Sequence, residues 1–192
     1  MRLGVRAFLR IIYSLKYEGQ ENIPESGSYI VASNHLTWAD PVFVNAGIKN
    51  ISAYMAKESI FKHPAAVLLK PLHAFPIKRD QSDREALSTA IRYLDNGYNL
   101  TIFPEGTRSK DGRLGKGKSG VAFISHFAKA DVLPVGITIK KRPHRRTSVT
   151  VRYGKIIPYT ELAVGHMSAS ELRRARDRVM GSIGELIDYE QS

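Results

Sequence analysis

A chain of 192 residues, 43% of them hydrophobic, is long enough to build one compact domain around a core and short for two. With no cysteine it excludes a disulfide framework, a thiolate nucleophile and Cys-ligated zinc, and no apolar run approaches the roughly 18 to 20 residues that span a bilayer as a helix, so membrane contact is expected to be peripheral. Lys and Arg number 29 against 18 Asp and Glu, a net charge of +11 that favours anionic partners: phosphorylated substrates, anionic lipid or nucleic acid.

Residues 3–16 predict an amphipathic helix. Arg2, Arg6 and Arg10 recur every four residues, while Val5, Phe8, Leu9, Ile11, Ile12 and Leu15 gather on another side. Extended over 1–17, this is the pattern of a helix lying on a lipid surface, although a helix packed on its own domain would use the same pattern.

Next, Ser28-Tyr-Ile-Val-Ala-Ser33 follows Pro24 and Gly27 and predicts a short strand. It runs into the polar pair Asn34-His35 and then Asp40-Pro41, which has the form of an N-cap followed by proline at the first helical position. Further strands are expected at 51–55, 72–77, 99–103, 133–139 and 148–153.

The clearest helix runs over 82–96, where Ser82 and Glu85 match a capping box, Leu87, Ala90, Ile91 and Leu94 form a stripe, and Gly97 suits the stop. Residues 120–129 and 170–187 predict two more. Strands alternating with helices indicate an α/β fold: a single layered domain over 1–192, with a mixed central sheet flanked by helices and chemistry carried on loops at strand ends.

His35 and Asp40 stand five apart, about 140° from each other on a straight helix, so contact between them requires the turn predicted before Pro41. In such a turn the carboxylate holds one imidazole nitrogen and leaves the other to take a proton from a hydroxyl. Taken alone, the pair reads equally as Asp40 capping the helix that begins at Pro41 and His35 a polar loop residue, and Asp40 could do both.

A second cluster, Phe103-Pro104-Glu105-Gly106-Thr107-Arg108-Ser109, leaves a predicted strand through proline. Its guanidinium suits bidentate grip of a phosphate and its threonine adds a neutral donor. Taken alone, an ordinary polar turn with a solvated Glu105–Arg108 pair reads equally well.

The two clusters together resemble the glycerophospholipid acyltransferases of the 1-acylglycerol-3-phosphate type. Four blocks occur in that family's order: Asn34-His35-Leu36-Thr37-Trp38-Ala39-Asp40, Ala74-Phe75-Pro76-Ile77-Lys78-Arg79, the complete 103–109 block, and Val132-Leu133-Pro134-Val135. One departure is His73, where many members carry a small residue.

The resemblance implies transfer of a fatty acyl group from acyl-CoA or acyl carrier protein to the sn-2 hydroxyl of lysophosphatidic acid, giving phosphatidic acid. It assigns His35 as base and Asp40 as its orienter. Arg79, Glu105, Gly106, Thr107 and Arg108 go to the glycerophosphate, with Asn34 grouped on that side as the residue fixing the histidine loop. Lys57 resembles a position near the acceptor, and an exposed lysine is an equal reading of it. No metal or organic cofactor is implied, no nucleic-acid partner is expected, and the expected location is an anionic membrane surface, peripheral, on the cytoplasmic face.

Three rival patterns are weaker. Gly112-Arg-Leu-Gly-Lys-Gly117-Lys118-Ser119 satisfies the Walker A spacing, but it does not follow its strand directly and no magnesium-binding partner strand is evident. Ser33, Ser109 or Ser119 would be needed as nucleophile for a covalent serine mechanism, and no Gly-x-Ser-x-Gly elbow supports one. Lys140, Lys141, Arg142, Arg145 and Arg146 concentrate charge around Pro143 on a predicted hairpin, suiting anionic lipid or an acidic carrier protein, with a nucleic-acid patch as the non-enzymatic alternative. His63, His126, His144 and His166 lack the spacing of a metal site.

Overall fold

The computed structural model describes residues 2–57, 74–77, 83–141, 143–162 and 165–188. In chain order the elements are α1 (Arg2–Ile12), β1 (Ser14–Glu18), β2 (Ile30–Ser33), α2 (Asp40–Ala46), β3 (Ser52–Lys57) and β4 (Ala74–Ile77). They continue with α3 (Asp83–Asp95), β5 (Asn99–Ile102), α4 (Gly120–Ala128), β6 (Val132–Lys140), β7 (Ser148–Tyr153) and α5 (Ala169–Asp188). Ser82, the expected capping residue of α3, lies outside the described residues.

The strands form one sheet in the order β1-β7-β6-β2-β5-β3-β4. Every neighbouring pair is parallel except β6 and β7, which are antiparallel and joined by the basic hairpin loop. The sheet is therefore mixed.

Alternation along each strand sends successive side chains to opposite faces, and the sheet divides the core accordingly. Ile30, Ala32, Leu100 and Ile102 pack against Ala90 and Leu94 of α3, Val121 and Ile124 of α4, and Val179 and Ile183 of α5. On the other face Tyr29, Val31, Leu133, Val135 and Ile137 pack against Leu9 of α1 and Phe43 and Val44 of α2. Each large side chain buried this way contributes about 1.5–3 kcal/mol before entropy is counted.

The N-terminal helix is shorter than its pattern predicts. It ends at Ile12, and residues 14–18 form an edge strand paired with β7 from Ser14↔Ser148 to Glu18↔Arg152. Ser14-Leu15-Lys16-Tyr17-Glu18 alternates polar and apolar, and Leu15 and Tyr17 pack on the α1/α2 side of the core, so Leu15 belongs to a period of two rather than to the helical stripe. Arg146 of the hairpin donates to the carbonyls of Arg10 and Ile11, satisfying the exposed end of α1.

Edge strand β1 is fastened by charge. Arg152, whose side chain is 7% exposed, donates from Nε to Glu18 Oε2 at 2.6 Å, and Lys16 lies on the other carboxylate oxygen. The hydrogen bond from Lys16, with further help from Arg152, holds the Glu18 carboxyl below the ordinary glutamate value. A depressed folded value means stability that is present above the unfolded pKa and lost as pH falls through the folded one. Glu18→Gln is thus expected to cost about 1–2 kcal/mol at pH 7 and much less at pH 3. Urea midpoints at the two pH values check this, and an equal deficit at both would exclude the linkage.

Candidate active site

Parallel neighbours deliver their following loops to the same edge of a sheet, and β2 and β5 are such a pair, with Ala32 opposite Ile102. The turn after β2 holds His35 and the turn after β5 holds the 103–109 block, so residues about seventy apart in sequence meet there.

Asn34 anchors the first turn. Its side chain is buried and replaces a strand's own hydrogen bonding: Nδ2 donates to the Ile137 carbonyl at 3.0 Å, and Oδ1 accepts from the Ile137 N–H at 2.7 Å. Both polar atoms are thereby used on β6. Asn34 thus holds the histidine loop to β6.

His35 follows. Its Nδ1 lies 2.8 Å from Asp40 Oδ2, and its ring stacks on Phe103 with centroids 4.1 Å apart and 22° between planes. A carboxylate accepts and does not donate, so Nδ1 carries the hydrogen and the neutral ring leaves Nε2 with its lone pair. Nε2 has no hydrogen-bond partner among the described residues.

Asp40 is fully buried and spends its carboxylate backward along the turn. Oδ2 accepts from the N–H groups of Leu36 (2.6 Å) and Thr37 (2.7 Å) as well as from His35, and Oδ1 accepts from Thr37 Oγ1 (2.7 Å). The expected helix cap is absent. The N-cap residue is Ala39, whose carbonyl takes the N–H groups of Val42 and Phe43, so no helical donor is left for Asp40. Four donors converging on one buried carboxylate fix the imidazole more tightly than a shared capping role would.

The second turn is tied to the first by Glu105. Buried at 7% exposure, its Oε1 accepts from the His35 N–H and its Oε2 from the Gly115 N–H, both at 2.8 Å. Ser109 N–H donates back to the His35 carbonyl at 2.7 Å. Each Glu105 oxygen is thus taken by a backbone donor, and a carboxylate facing a phosphate would repel it.

Gly106 adopts φ +70°, the left-handed conformation that closes the turn. Thr107 and Arg108 follow on the exposed side, and Arg108 makes no hydrogen bond or ion pair among the described residues. Thr107 also borders an open cleft of about 400 Å³ with Lys110, Arg113 and Lys116. Arg79 lies outside the described residues, as does His73, and for Lys57 only its place at the end of β3 is described.

The rival motifs resolve in the same region. The 112–119 segment does not directly follow a strand; it wraps the 103–106 turn, with the Lys118 N–H donating to the Pro104 carbonyl at 2.8 Å. Ser33 is buried and donates to the Asn34 carbonyl, while Ser109 Oγ donates to Asp111 Oδ1, so neither hydroxyl is bonded to His35. Among the described residues no group of three His, Asp or Glu side chains is placed to hold a metal ion, and no helix is long and apolar enough to cross a membrane.

Two contributors escaped the sequence reading. Thr37 bonds Asp40 through its hydroxyl and Phe103 supports the imidazole face; both lie inside the motifs, but only the folded turns show what they touch.

A sequence profile of the family described as Acyltransferase matches residues 14–138, from β1 to β6. The chain belongs to this acyltransferase family. It is 34% identical over 133 residues to a 1-acyl-sn-glycerol-3-phosphate acyltransferase of Bacillus subtilis (strain 168), an alignment spanning 66% of this chain and 65% of that one. It is also 34% identical to the chloroplastic 1-acyl-sn-glycerol-3-phosphate acyltransferase LPAT1 of Arabidopsis thaliana, over 66% of this chain and 36% of the relative. The matched region thus spans just under two thirds of the bacterial relative's length and about a third of the plant one's. The crystal structure of the 1-acyl-sn-glycerophosphate acyltransferase PlsC from Thermotoga maritima superposes with a TM-score of 0.75 and 28% identity, covering 98% of this chain and 77% of that one. The family fold accordingly extends over both layers of helices described above.

Proposed function

We propose that this acyltransferase moves a fatty acyl group from an acyl thioester to the sn-2 hydroxyl of lysophosphatidic acid, forming phosphatidic acid. The observation that carries the proposal is the His35–Asp40 contact at 2.8 Å, with Nε2 unpartnered among the described residues, on a turn that Glu105 ties to the one bearing Arg108. The relatives, which are 1-acyl-sn-glycerol-3-phosphate acyltransferases, supply the acceptor class.

Asp40 holds the Nδ1 hydrogen, and Nε2 removes the proton of the acceptor hydroxyl as its oxygen attacks the thioester carbonyl. The tetrahedral intermediate collapses with cleavage of the C–S bond, and the departing thiolate takes the proton from the imidazolium. The ester and a free thiol are the products. Arg108 and Thr107 grip the phosphate, joined by Arg79 on the strength of the family resemblance, and acyl-CoA or acyl carrier protein serves as donor.

Thiol release by the purified protein, measured with both donors across lysophospholipids and glycerol 3-phosphate, tests the reading. Lysophosphatidic acid is expected to give the highest kcat/KM. Failure to acylate any acceptor would sink the proposal.

We place the reaction at an anionic bilayer. Phe8, Ile11 and Ile12 of α1 are 60%, 72% and 45% exposed beside arginines, a face suited to the headgroup boundary. The double substitution Phe8→Asp, Ile11→Asp is expected to weaken co-sedimentation with anionic vesicles by about tenfold or more. Trp38, the single tryptophan, stands 76% exposed between His35 and Asp40, so its emission offers a second readout. Vesicle binding equal to the parent's would count against the interfacial role of α1.

A further inference from the structure

We propose that Lys118 is a second cation for the acceptor's phosphate and that it selects a phosphate monoester over the phosphodiester of other lysophospholipids. The inference rests on reading the 105–108 turn as the phosphate site. It begins from the Walker-like segment, a lysine-bearing loop that the catalytic dyad does not use.

The end of the Lys118 side chain lies against the bare face of Gly106: a Cβ built there would stand 2.9 Å from Lys118 Cε and 3.1 Å from Nζ. Gly106 therefore has two duties, the left-handed bend and the space that the lysine occupies. The backbone behind the lysine is fixed from both sides. Its own N–H donates to Pro104, and at Gly117 an added Cβ would stand 2.6 Å from the Met180 sulfur, so the loop is pressed onto α5.

Among the described residues no carboxylate pairs with this ammonium. Both oxygens of nearby Glu105 are taken by backbone N–H groups, and Lys118 makes no ion pair among the described residues. Arg108, two residues beyond Gly106, is equally without one. Cations gathered on one short turn without a counterion repel each other, and an anion placed between them removes that penalty. A phosphate monoester carries about −1.5 to −2 at pH 7 and can satisfy both, whereas a phosphodiester carries a single charge. The two side chains are also complementary: guanidinium offers a planar fork, ammonium a compact charge with three rotatable donors.

The experiment pairs Lys118→Met with Lys118→Arg in the full chain. KM is measured for lysophosphatidic acid, for lysophosphatidylglycerol and for the acyl thioester, and binding of hexanoyl lysophosphatidic acid is followed by calorimetry without donor. Lys118→Met is expected to raise KM and Kd for the monoester about tenfold, more than kcat falls, and to raise KM for the phosphodiester less. Lys118→Arg should retain most of the affinity. Gly106→Ala, which intrudes on the lysine's place, should shift monoester binding in the same direction. Monoester KM and Kd within twofold of the parent would overturn the assignment, as would a rise confined to the CoA thioester. Absence of acyl transfer by the parent protein would sink the proposed reaction instead, and the calorimetric arm would still decide the lysine's role.

Discussion

Replacing His35 by alanine is expected to lower kcat by about a thousandfold while leaving the protein folded. The ring lies on Phe103 outside both core clusters, and the buried Asp40 keeps the two backbone N–H groups and the Thr37 hydroxyl when the imidazole is removed. What disappears is Nε2, the proposed base for the acceptor hydroxyl. Thiol release at saturating acceptor, read beside the thermal midpoint, separates the two effects. A variant retaining more than a tenth of the parent's kcat would remove His35 from the chemistry.

Glu105→Gln is expected to lower kcat/KM by about a hundredfold and to cost about 1–3 kcal/mol of stability. Each carboxylate oxygen accepts from a backbone N–H, so an amide that offers only one oxygen must turn its NH₂ toward the His35 or the Gly115 donor. The link between the two turns loosens, and His35 shifts relative to the proposed phosphate site. If the carboxylate faced the acceptor, the same substitution would remove a repulsive charge, lower KM for lysophosphatidic acid and leave the melting temperature unchanged. The sign of the KM change therefore distinguishes a tether from a substrate contact.

These predictions separate residues whose roles local pattern reveals from residues whose roles depend on neighbours far along the chain. The meeting of His35 with Asp40 was legible, because a polar turn before Asp40-Pro41 brings them together within five residues. The direction in which Asp40 spends its other lone pairs was not, since the helical donors it was expected to cap go to the Ala39 carbonyl. Likewise the apolar period of α1 was legible, but its end was not. Leu15 satisfies both a helical stripe and a two-residue alternation, and pairing with β7, more than 130 residues away, decides between them.

Charge signs were equally local knowledge. A basic chain with Arg108 on a turn raises the expectation of an anion site, and Thr107 and Arg108 are exposed. Glu105 lies in the same block, where the family resemblance groups it with them, and it is buried with both oxygens bonded to backbone N–H groups. Lys118, set within a misleading nucleotide-binding pattern, stands over Gly106.

By itself the sequence determined the alternation of strands and helices, the turn that joins base to carboxylate, and the four blocks of the acyltransferase family, because periodicity and short-range turn chemistry are written in consecutive residues. Only the tertiary structure decided that β2 lies between β6 and β5. That order puts Asn34 on Ile137, Glu105 under His35 and Lys118 over Gly106, since parallel neighbours present their loops at one edge while the residues that meet there are as many as 103 positions apart.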